Sequence, residues 1–233
     1  MLEEYLQEYG IDLSDEKIAF LSLHLDYVLK INSSIRLTAI HGKEEGERLH
    51  ILDSLLVLPE VFSALGGKML DIGTGGGYPG LPIAIAADRS VDLLDSVKKK
   101  ARAIESFLEE DYFGDLELKT IGLRAEELAL ERPEYYSVIL ARAVSSLPSL
   151  IELGSPLLQL DGQLIVHKGP HDEDEFIRAL AVADIVGISF LNKREYNLPC
   201  GAEQRTVYVF EKTTAAQIEL PRRSGRAQRK PLA

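Results

Sequence analysis

The stretch that decides the fold runs from Lys68 to Gly80 and reads Lys-Met-Leu-Asp-Ile-Gly-Thr-Gly-Gly-Gly-Tyr-Pro-Gly. Its apolar start, which ends in Asp71, predicts a strand, and Pro79 followed by Leu81 predicts the first turn of a helix. Glycines between them can adopt positive φ and have no Cβ, so a ligand can approach the backbone amides. These glycines are Gly73, Gly75, Gly76 and Gly77. The stretch therefore predicts a ligand-binding turn between a strand and a helix.

The absence of a complete dinucleotide fingerprint limits which ligands this turn can bind. A dinucleotide fingerprint needs a third glycine for close helix packing, and that position is Tyr78. Asp71 would oppose a phosphate, but it can accept hydrogen bonds or face a cationic ligand. S-adenosylmethionine has no phosphate and carries a sulfonium and an ammonium group. The turn therefore favours this cofactor over a nicotinamide dinucleotide, with a glycine turn that serves only the fold as the remaining alternative.

Polar residues follow the other predicted strands. Asp95 ends the next apolar run, where a carboxylate can bond both ribose hydroxyls, although NAD-binding folds use the same device. The later strand ends carry Glu126, Arg142 and Lys168. Each has an ordinary alternative, namely a solvated helix acid, a salt-bridged arginine and a surface lysine. Because the carboxyl ends of parallel strands share one edge of a sheet, we expect these residues to outline one cleft.

Predicted strands and helices alternate from residue 68 to residue 212. This alternation implies a mostly parallel sheet with helices on both faces, closed by an antiparallel hairpin near 186–194 and 205–212. Upstream, Ser14 or Asp15 caps a helix that runs to about Ile31, and a second helix is predicted near 43–57. We therefore expect an N-terminal helical segment at 1–60, a core at 61–212 and a tail at 213–233. Further strands are predicted near 91–95, 116–121, 136–141 and 162–168, and further helices near 80–88, 97–110, 124–130, 146–159 and 172–183.

The charge is unevenly spread along the chain. The formal net charge of the 233 residues is −11, but residues 221–233 hold five cations and no acid, which leaves −16 on the preceding 220 residues. A flexible tail of this composition suits contact with an RNA phosphate backbone, and a merely solubilising end is an equal alternative. If the tail docks RNA, its deletion should weaken RNA binding and spare cofactor affinity. The tail cations are Arg222, Arg223, Arg226, Arg229 and Lys230.

Composition sets further limits. A single cysteine, Cys200, excludes an internal disulfide and a cysteine zinc cluster and fits a reducing compartment. The histidines show no metal-ligand spacing. The chain opens without a basic and apolar leader, and no apolar run approaches the roughly 18 residues of a membrane span. We expect a cytoplasmic monomer with no metal and no membrane partner.

Several motifs, taken in order, resemble one known family. They are Asp71-Ile-Gly-Thr-Gly-Gly-Gly-Tyr-Pro-Gly-Leu-Pro-Ile, the upstream His50-Ile-Leu-Asp53-Ser54, Leu94-Asp95-Ser96 before a basic helix, Arg142-Ala143, and Lys168-Gly169. From about Asn32 to its end the chain looks like the bacterial small-subunit ribosomal RNA guanine-N7 methyltransferases, also called glucose-inhibited division protein B. Gly76 stands where the family usually has proline, and Ser33 and Arg36 replace a lysine and an asparagine. The resemblance implies a Rossmann-like class I methyltransferase fold, with a mostly parallel seven-stranded sheet, an antiparallel final hairpin and N-terminal helices.

The resemblance also implies roles for residues. S-adenosylmethionine would be held by Gly73 and Tyr78, by Ala125 with Glu126 after the third strand, and by Arg142, while Asp95 takes the ribose. Asp71, Gly75 and Gly77 complete the expected cofactor site. His50, Arg142 and Lys168 are expected to position the substrate, although His50 competes evenly with a structural histidine. The residues expected to contact RNA are His50, Lys168, Arg205 and the five tail cations.

The chemistry implied by the resemblance needs no general base. Guanine N7 has an in-plane lone pair and no proton, so its attack on the methyl group releases none, and catalysis depends on positioning. N7 lies in a groove that is deep and narrow in A-form RNA, so the target must be accessible in small-subunit ribosomal RNA or a ribosomal particle. Two other functions stay open. They are a nicotinamide-dependent oxidoreductase, disfavoured by Tyr78 and Asp71, and a noncatalytic RNA-binding protein of ribosome assembly.

Overall fold

The structure is a computed structural model that describes residues 1–109, 116–199 and 203–233. Cys200, the single cysteine of the chain, lies outside the described residues, as does the predicted last residue of the helix near 97–110.

The N-terminal region is helical but more broken than the sequence indicates. Helix α1 spans Leu2–Glu8 and α2 spans Asp15–Ile35. The Ser14 hydroxyl accepts a hydrogen bond from the Lys17 amide at 3.4 Å, so Ser14 rather than Asp15 caps α2.

The stretch predicted as a helix near 43–57 is helical from Lys43 to Leu55, but it is not a regular α-helix throughout. It consists of α3 (Lys43–Gly46), a π-helical segment (Glu47–Leu52) and α4 (Asp53–Leu55), and a separate helix, α5 (Leu58–Ser63), follows it. Pro59, in the first turn of α5, has no amide hydrogen to donate to the carbonyl of Leu55, so α4 and α5 do not form one continuous helix. Short π-helical insertions are frequent at functional sites.

A seven-stranded sheet forms the centre of the molecule. The strand order is β3-β2-β1-β4-β5-β7-β6. The first five strands are parallel, while β7 runs antiparallel to both β5 and β6. The predicted parallel sheet with a final antiparallel hairpin is confirmed. The strands are β1 (Met69–Ile72), β2 (Val91–Leu94), β3 (Leu118–Ile121), β4 (Tyr136–Arg142), β5 (Leu158–Lys168), β6 (Ile188–Asn197) and β7 (Gln204–Lys212).

Helices alternate with these strands. They are α6 (Gly80–Ala87), α7 (Lys98–Leu108), α8 (Ala125–Glu131), α9 (Leu147–Gly154), α10 (Glu173–Val186) and α11 (Arg226–Arg229). The helix predicted near 146–159 ends early, at Gly154, because Pro156 cannot donate a hydrogen bond into a continuing helix. Strand β5 therefore begins at Leu158, ahead of the prediction.

Both faces of the sheet are buried. Met69 packs with α2, α5 and α6 on one face, while Leu70 and Ile72 pack with α8, α9 and α10 on the other. This alternation follows from the two-residue repeat of a strand. The N-terminal helices thus cover one face of the same sheet, and their ends reach the edge where the strands finish.

The tail at 213–233 packs against the core, which contradicts its description as a flexible tail with too few apolar residues to fold. Ala227 is 1% exposed, and Leu220 and Leu232 pack against the cluster under α9 and α10. Arg222 Nε and Nη2 donate to the Glu152 carboxylate at 2.7 and 2.6 Å. A few apolar anchors and one buried ion pair therefore order a segment whose composition is typical of disorder.

Candidate functional site

The glycine turn follows β1 and is held by the neighbouring strand. The amides of Gly73 and Thr74 both donate to the carbonyl oxygen of Leu94, at 2.8 and 3.0 Å. Gly73 has φ of +75° and Gly77 has φ of +92°, values that L side chains rarely adopt. A Cβ on Gly73 would also overlap the Val144 side chain. The turn therefore requires glycine at residue 73 because the backbone has a positive φ there and because Val144 leaves no room for a Cβ.

Gly80 lets α6 approach β1 closely. Its amide donates to Asp71 Oδ2 at 2.9 Å, and a Cβ there would lie 2.6 Å from Asp71 Cβ. Gly80 therefore permits the close packing that a dinucleotide fingerprint obtains from a glycine at the position of Tyr78. The packing glycine lies two residues later, and the spacing still differs from that of a dinucleotide fingerprint.

Asp71 and Asp95 flank the turn in different environments. Burial raises the pKa of Asp71 to about 6, although the hydrogen bond from the Gly80 amide opposes that shift. Asp95 accepts from the Gly75 amide at 3.1 Å and from the Val97 amide at 2.8 Å. Each carboxylate oxygen of Asp95 keeps a further lone pair that a ligand hydroxyl can use.

The turn borders a cleft of about 430 Å³, which we call the glycine cleft. Gly73, Gly75, Tyr78, Asp95 and Arg142 all line it. A narrower hollow of about 40 Å³, the side hollow, lies beside Ala125 and Glu126. The two spaces share the residues Gly73, Ser96, Val144 and Gln228, so they are neighbouring parts of one depression at the strand ends.

An aromatic stack forms one wall of the glycine cleft. The Tyr78 and His50 rings stack with centroids 4.4 Å apart and planes 9° apart, and His24 lies on Tyr78 at 4.7 Å. The Arg142 guanidinium lies 5.9 Å from the Tyr78 ring centroid. Burial lowers the pKa of His50 to about 3, and the charge of Arg142 adds to that shift. His50 is therefore uncharged at neutral pH.

A second space of about 380 Å³, the basic pocket, adjoins this wall. It is organised by Asp53, which is 1% exposed and comes from α4. Asp53 Oδ2 lies 3.2 Å from both Arg142 Nη1 and Arg205 Nε, and Asp53 Oδ1 accepts from the Tyr196 hydroxyl at 3.1 Å. Burial alone would raise the pKa of Asp53, but Arg142, His167 and Arg205 together lower it. One buried carboxylate thus orients two arginines.

Two more strand-end residues complete the basic pocket. Lys168 Nζ pairs with Glu175 at 2.9 Å and donates to the Ser145 carbonyl at 3.3 Å. His167 lines the pocket, and neither of its ring nitrogens has a hydrogen-bond partner among the described residues. Burial lowers the pKa of His167 to about 3, so this ring is uncharged at neutral pH.

The structure brings most of the residues expected at the site to this edge of the sheet. Asp71 and Gly77 are exceptions, because neither lines a described cavity and Asp71 faces the Gly80 amide. Arg222 is not free for RNA, because it pairs with the buried Glu152. Arg223, Arg226, Arg229 and Lys230 are exposed.

The residues at the site that the sequence analysis did not assign include Asp53, Val144 and Gln228. The sequence contains a pattern that could have indicated Asp53, since Asp53 follows His50 by three residues and can share a helix face with it. Val144 and Gln228 had no such pattern. Gln228 reaches the strand ends only because the tail packs against the core.

The comparison with family models identifies the family of the chain. Residues 17–206 match the model of GidB, described as rRNA small subunit methyltransferase G. The chain belongs to this family. A ribosomal RNA small subunit methyltransferase G of Pseudothermotoga lettingae is 34% identical, covering 98% of each chain. One of Desulfitobacterium hafniense is 32% identical, covering 97% of this chain and 94% of the relative.

Solved structures agree on the fold. A crystal structure titled SAM-dependent methyltransferases, from Methanosarcina mazei, superposes with a TM-score of 0.52 at 16% identity, covering 66% of this chain and 97% of that chain. The expected Rossmann-like methyltransferase fold and the family resemblance are thus confirmed, and the oxidoreductase alternative is not favoured.

Two further observations concern the whole described chain. Within residues 1–109, 116–199 and 203–233, no group of three or more His, Cys, Asp or Glu side chains could hold a metal ion. In the same ranges, no helix combines the length and the apolar character that a membrane crossing demands.

Proposed function

We propose that the protein transfers a methyl group from S-adenosylmethionine to N7 of a guanine in small-subunit ribosomal RNA. The observation that carries this proposal is the shared wall between the glycine cleft and the basic pocket. His50, Arg142 and Ala143 line both spaces. A methyl donor in one space and an acceptor base in the other would meet at these residues.

The glycine cleft fits the cofactor. Its volume lies within the range of about 300–1,000 Å³ that is usual for small-molecule sites. A side chain at Gly73 would occupy the approach to the backbone, and the Asp95 carboxylate at the cleft can bond ribose hydroxyls. Bound S-adenosylmethionine supplies an electrophilic methyl group.

We assign its binding to residues at the two ends of the depression. Gly73, Gly75, Tyr78 and Arg142 would border the amino-acid part, and Asp95 the ribose. Ala125 and Glu126, beside the side hollow, would border the adenine. Asp71 acts indirectly in this proposal, because its carboxylate fixes α6 through the Gly80 amide.

The basic pocket is suited to the acceptor base. Arg142, Lys168 and Arg205 line it, and guanine presents the acceptors N7 and O6 on one edge. No proton leaves N7 during methylation, so the uncharged His50 and His167 need not act as bases. The residues hold the base in line with the methyl group, and such orientation can contribute roughly 7–11 kcal/mol at best.

Cations outside the pocket would hold the RNA backbone. The exposed side chains of Arg223, Arg226, Arg229 and Lys230 are candidates, whereas Arg222 is committed to Glu152. Because N7 is hard to reach in an A-form helix, the substrate would be a ribosomal particle or an accessible RNA loop. We propose that the protein acts on it as a monomer in the cytoplasm.

The test is methyl transfer to small subunits that lack the modification. With S-adenosylmethionine labelled on its methyl group, we expect label in small-subunit RNA and chain cleavage at a single guanine after borohydride and aniline treatment. Label on another atom would contradict the N7 assignment. Cofactor binding without turnover would instead support the noncatalytic assembly role.

A further inference from the structure

We propose that the C-terminal strap, residues 222–230, is part of the cofactor site, with Gln228 contacting the adenosine end of S-adenosylmethionine. The inference rests on the proposed function, because it assumes that this cofactor occupies the glycine cleft. It gives the strap a role in cofactor binding in addition to the RNA contact that its positive charge suggests. RNA contact alone would leave cofactor affinity unchanged.

The position of Gln228 is the first observation. Gln228 lines both the glycine cleft and the side hollow, and it comes from the short helix α11. Arg124 Nη2 donates to Gln228 Oε1 at 2.8 Å. That bond occupies the amide oxygen and orients the group, so the amide nitrogen is the part of Gln228 that can donate to a ring nitrogen of a purine.

The contact with Glu126 is the second observation. The Gly225 amide donates to Glu126 Oε1 at 2.6 Å, and Glu126 is 6% exposed. Glu126 lines the side hollow and is one of the two residues assigned to the adenine. The strap therefore orients the Glu126 carboxylate through the Gly225 amide. Gln228, which also belongs to the strap, lines the same side hollow.

The strap is fastened at its far end. Arg222 makes two charge-assisted hydrogen bonds to Glu152, which is 2% exposed, and also donates to the Lys230 carbonyl at 2.9 Å. The Ser149 hydroxyl donates to the Ala227 carbonyl at 2.9 Å. These bonds tie the strap to α9 and hold Gln228 in place, so Arg222 is a positioning residue.

The strap thus has two sides. Gln228, although itself exposed, lines both cavities, and the Gly225 amide bonds Glu126, whereas the exposed Arg223, Arg226 and Arg229 line neither cavity. We expect the inward side to affect cofactor affinity and the exposed cations to affect RNA affinity. The two effects can be separated by single substitutions in the full chain.

The experiment is titration calorimetry of the full chain with S-adenosylmethionine and with S-adenosylhomocysteine. Gln228→Ala should raise both dissociation constants roughly three- to tenfold, as the loss of one hydrogen bond does. Arg222→Ala should raise them comparably, and Arg222→Lys should restore part of the loss. Gln217→Ala is the matched control, because Gln217 is exposed in the same C-terminal region and bonds the Asp184 carbonyl instead, at 2.9 Å.

Limited trypsin digestion gives a second readout on the same proteins. Bound S-adenosylhomocysteine should slow cleavage after Arg223, Arg226 and Arg229 in the unsubstituted protein and in Gln217→Ala, and less so in Gln228→Ala. Unchanged affinity and unchanged protection in Gln228→Ala would overturn the inference while leaving the proposed function intact. No binding of either compound to the unsubstituted protein would overturn the proposed function itself.

Discussion

The glycine cleft and the basic pocket share a wall but are built in different ways. More than half of the residues that line the glycine cleft come from two short stretches, the turn at 73–78 and the strand end at 95–97. The basic pocket is made of side chains from α4, the π-helical segment, β4, β5 and β7, gathered around Asp53. The first depends on conformations that only glycine adopts easily, and the second on one buried charge.

Because of this difference, substitutions in the two sites should have different effects. A side chain added to the turn should abolish ligand binding and leave the basic pocket in place. Removal of the Asp53 charge should disorder the basic pocket and leave the turn in place. Cofactor binding and RNA methylation can therefore be lost separately.

Gly73→Ala should have the largest effect on the glycine cleft. The new Cβ would meet Val144 at a positive φ, so the turn must shift. We expect cofactor affinity to fall about 100-fold or more and unfolding free energy to fall by about 1–3 kcal/mol. Calorimetry and urea unfolding measure the two effects.

The matched control for Gly73→Ala is Gly169→Ala. Gly169 lines the basic pocket, and a Cβ there meets no atom within 4 Å. Its cofactor affinity should equal that of the unsubstituted protein. Equal affinities for all three proteins would contradict the assignment of the turn to the cofactor.

Asp53→Asn should have the largest effect on the basic pocket. Arg142 and Arg205 would lose their buried counter-charge. We expect the unfolding free energy to fall by about 3 kcal/mol and RNA methylation to be lost. Cofactor affinity should change much less. The folded-state pKa of Asp53 is lowered, so its stabilisation is present above the unfolded value near 4 and is lost as the pH falls.

The Asp53→Asn variant should therefore differ most from the unsubstituted protein at neutral pH and least in acid. Urea unfolding across this pH range measures the difference. Asp184→Asn, at an exposed position on α10, should follow the unsubstituted protein throughout. A cofactor affinity that falls as far in Asp53→Asn as in Gly73→Ala would show that the two sites are not separable.

Asp71→Asn should stabilise the protein and sharpen the contrast between the two buried aspartates. Burial raises the pKa of Asp71 to about 6, so the folded protein holds this proton more tightly than the unfolded chain does. The stability that Asp71 contributes is thus present below about pH 4 and is lost as the pH rises through about 6.

Asparagine stays neutral at every pH and keeps an oxygen for the Gly80 amide. We expect the variant to be about 2 kcal/mol more stable than the unsubstituted protein above pH 7 and equally stable near pH 4. Thermal unfolding at the two pH values measures this. A destabilised variant at pH 7 would show that the charged carboxylate supports the fold.

His50 belongs to the wall that both sites share, and the smallest expected effect is that of His50→Gln on the pH dependence of methylation. Burial and Arg142 lower its pKa to about 3, so His50 does not change charge between about pH 5.5 and about pH 8. The pH profile of methylation should therefore have the same shape with and without His50. A step near pH 6.5 that disappears in the variant would contradict an uncharged role.

Much of the fold could be predicted because its signals are local. The apolar run before Asp71, the glycines after it and the alternation of strands and helices indicate the parallel sheet and the site at its edge. Where prediction failed, a proline or a distant contact decided the structure. Pro156 ended one helix early, and the packing of Ala227 and Arg222 ordered a segment that composition indicates is disordered.

By itself the sequence determined the sheet, the glycine turn and the family of this protein. Backbone conformation at glycine and the two-residue alternation of strands depend on residues that are close in the chain, so both can be predicted from the sequence. Only the tertiary structure decided that Asp53 joins Arg142 and Arg205, and that Gln228 reaches the glycine cleft. Such contacts join side chains far apart in the chain, and their energies depend on burial, which the linear order of residues does not contain.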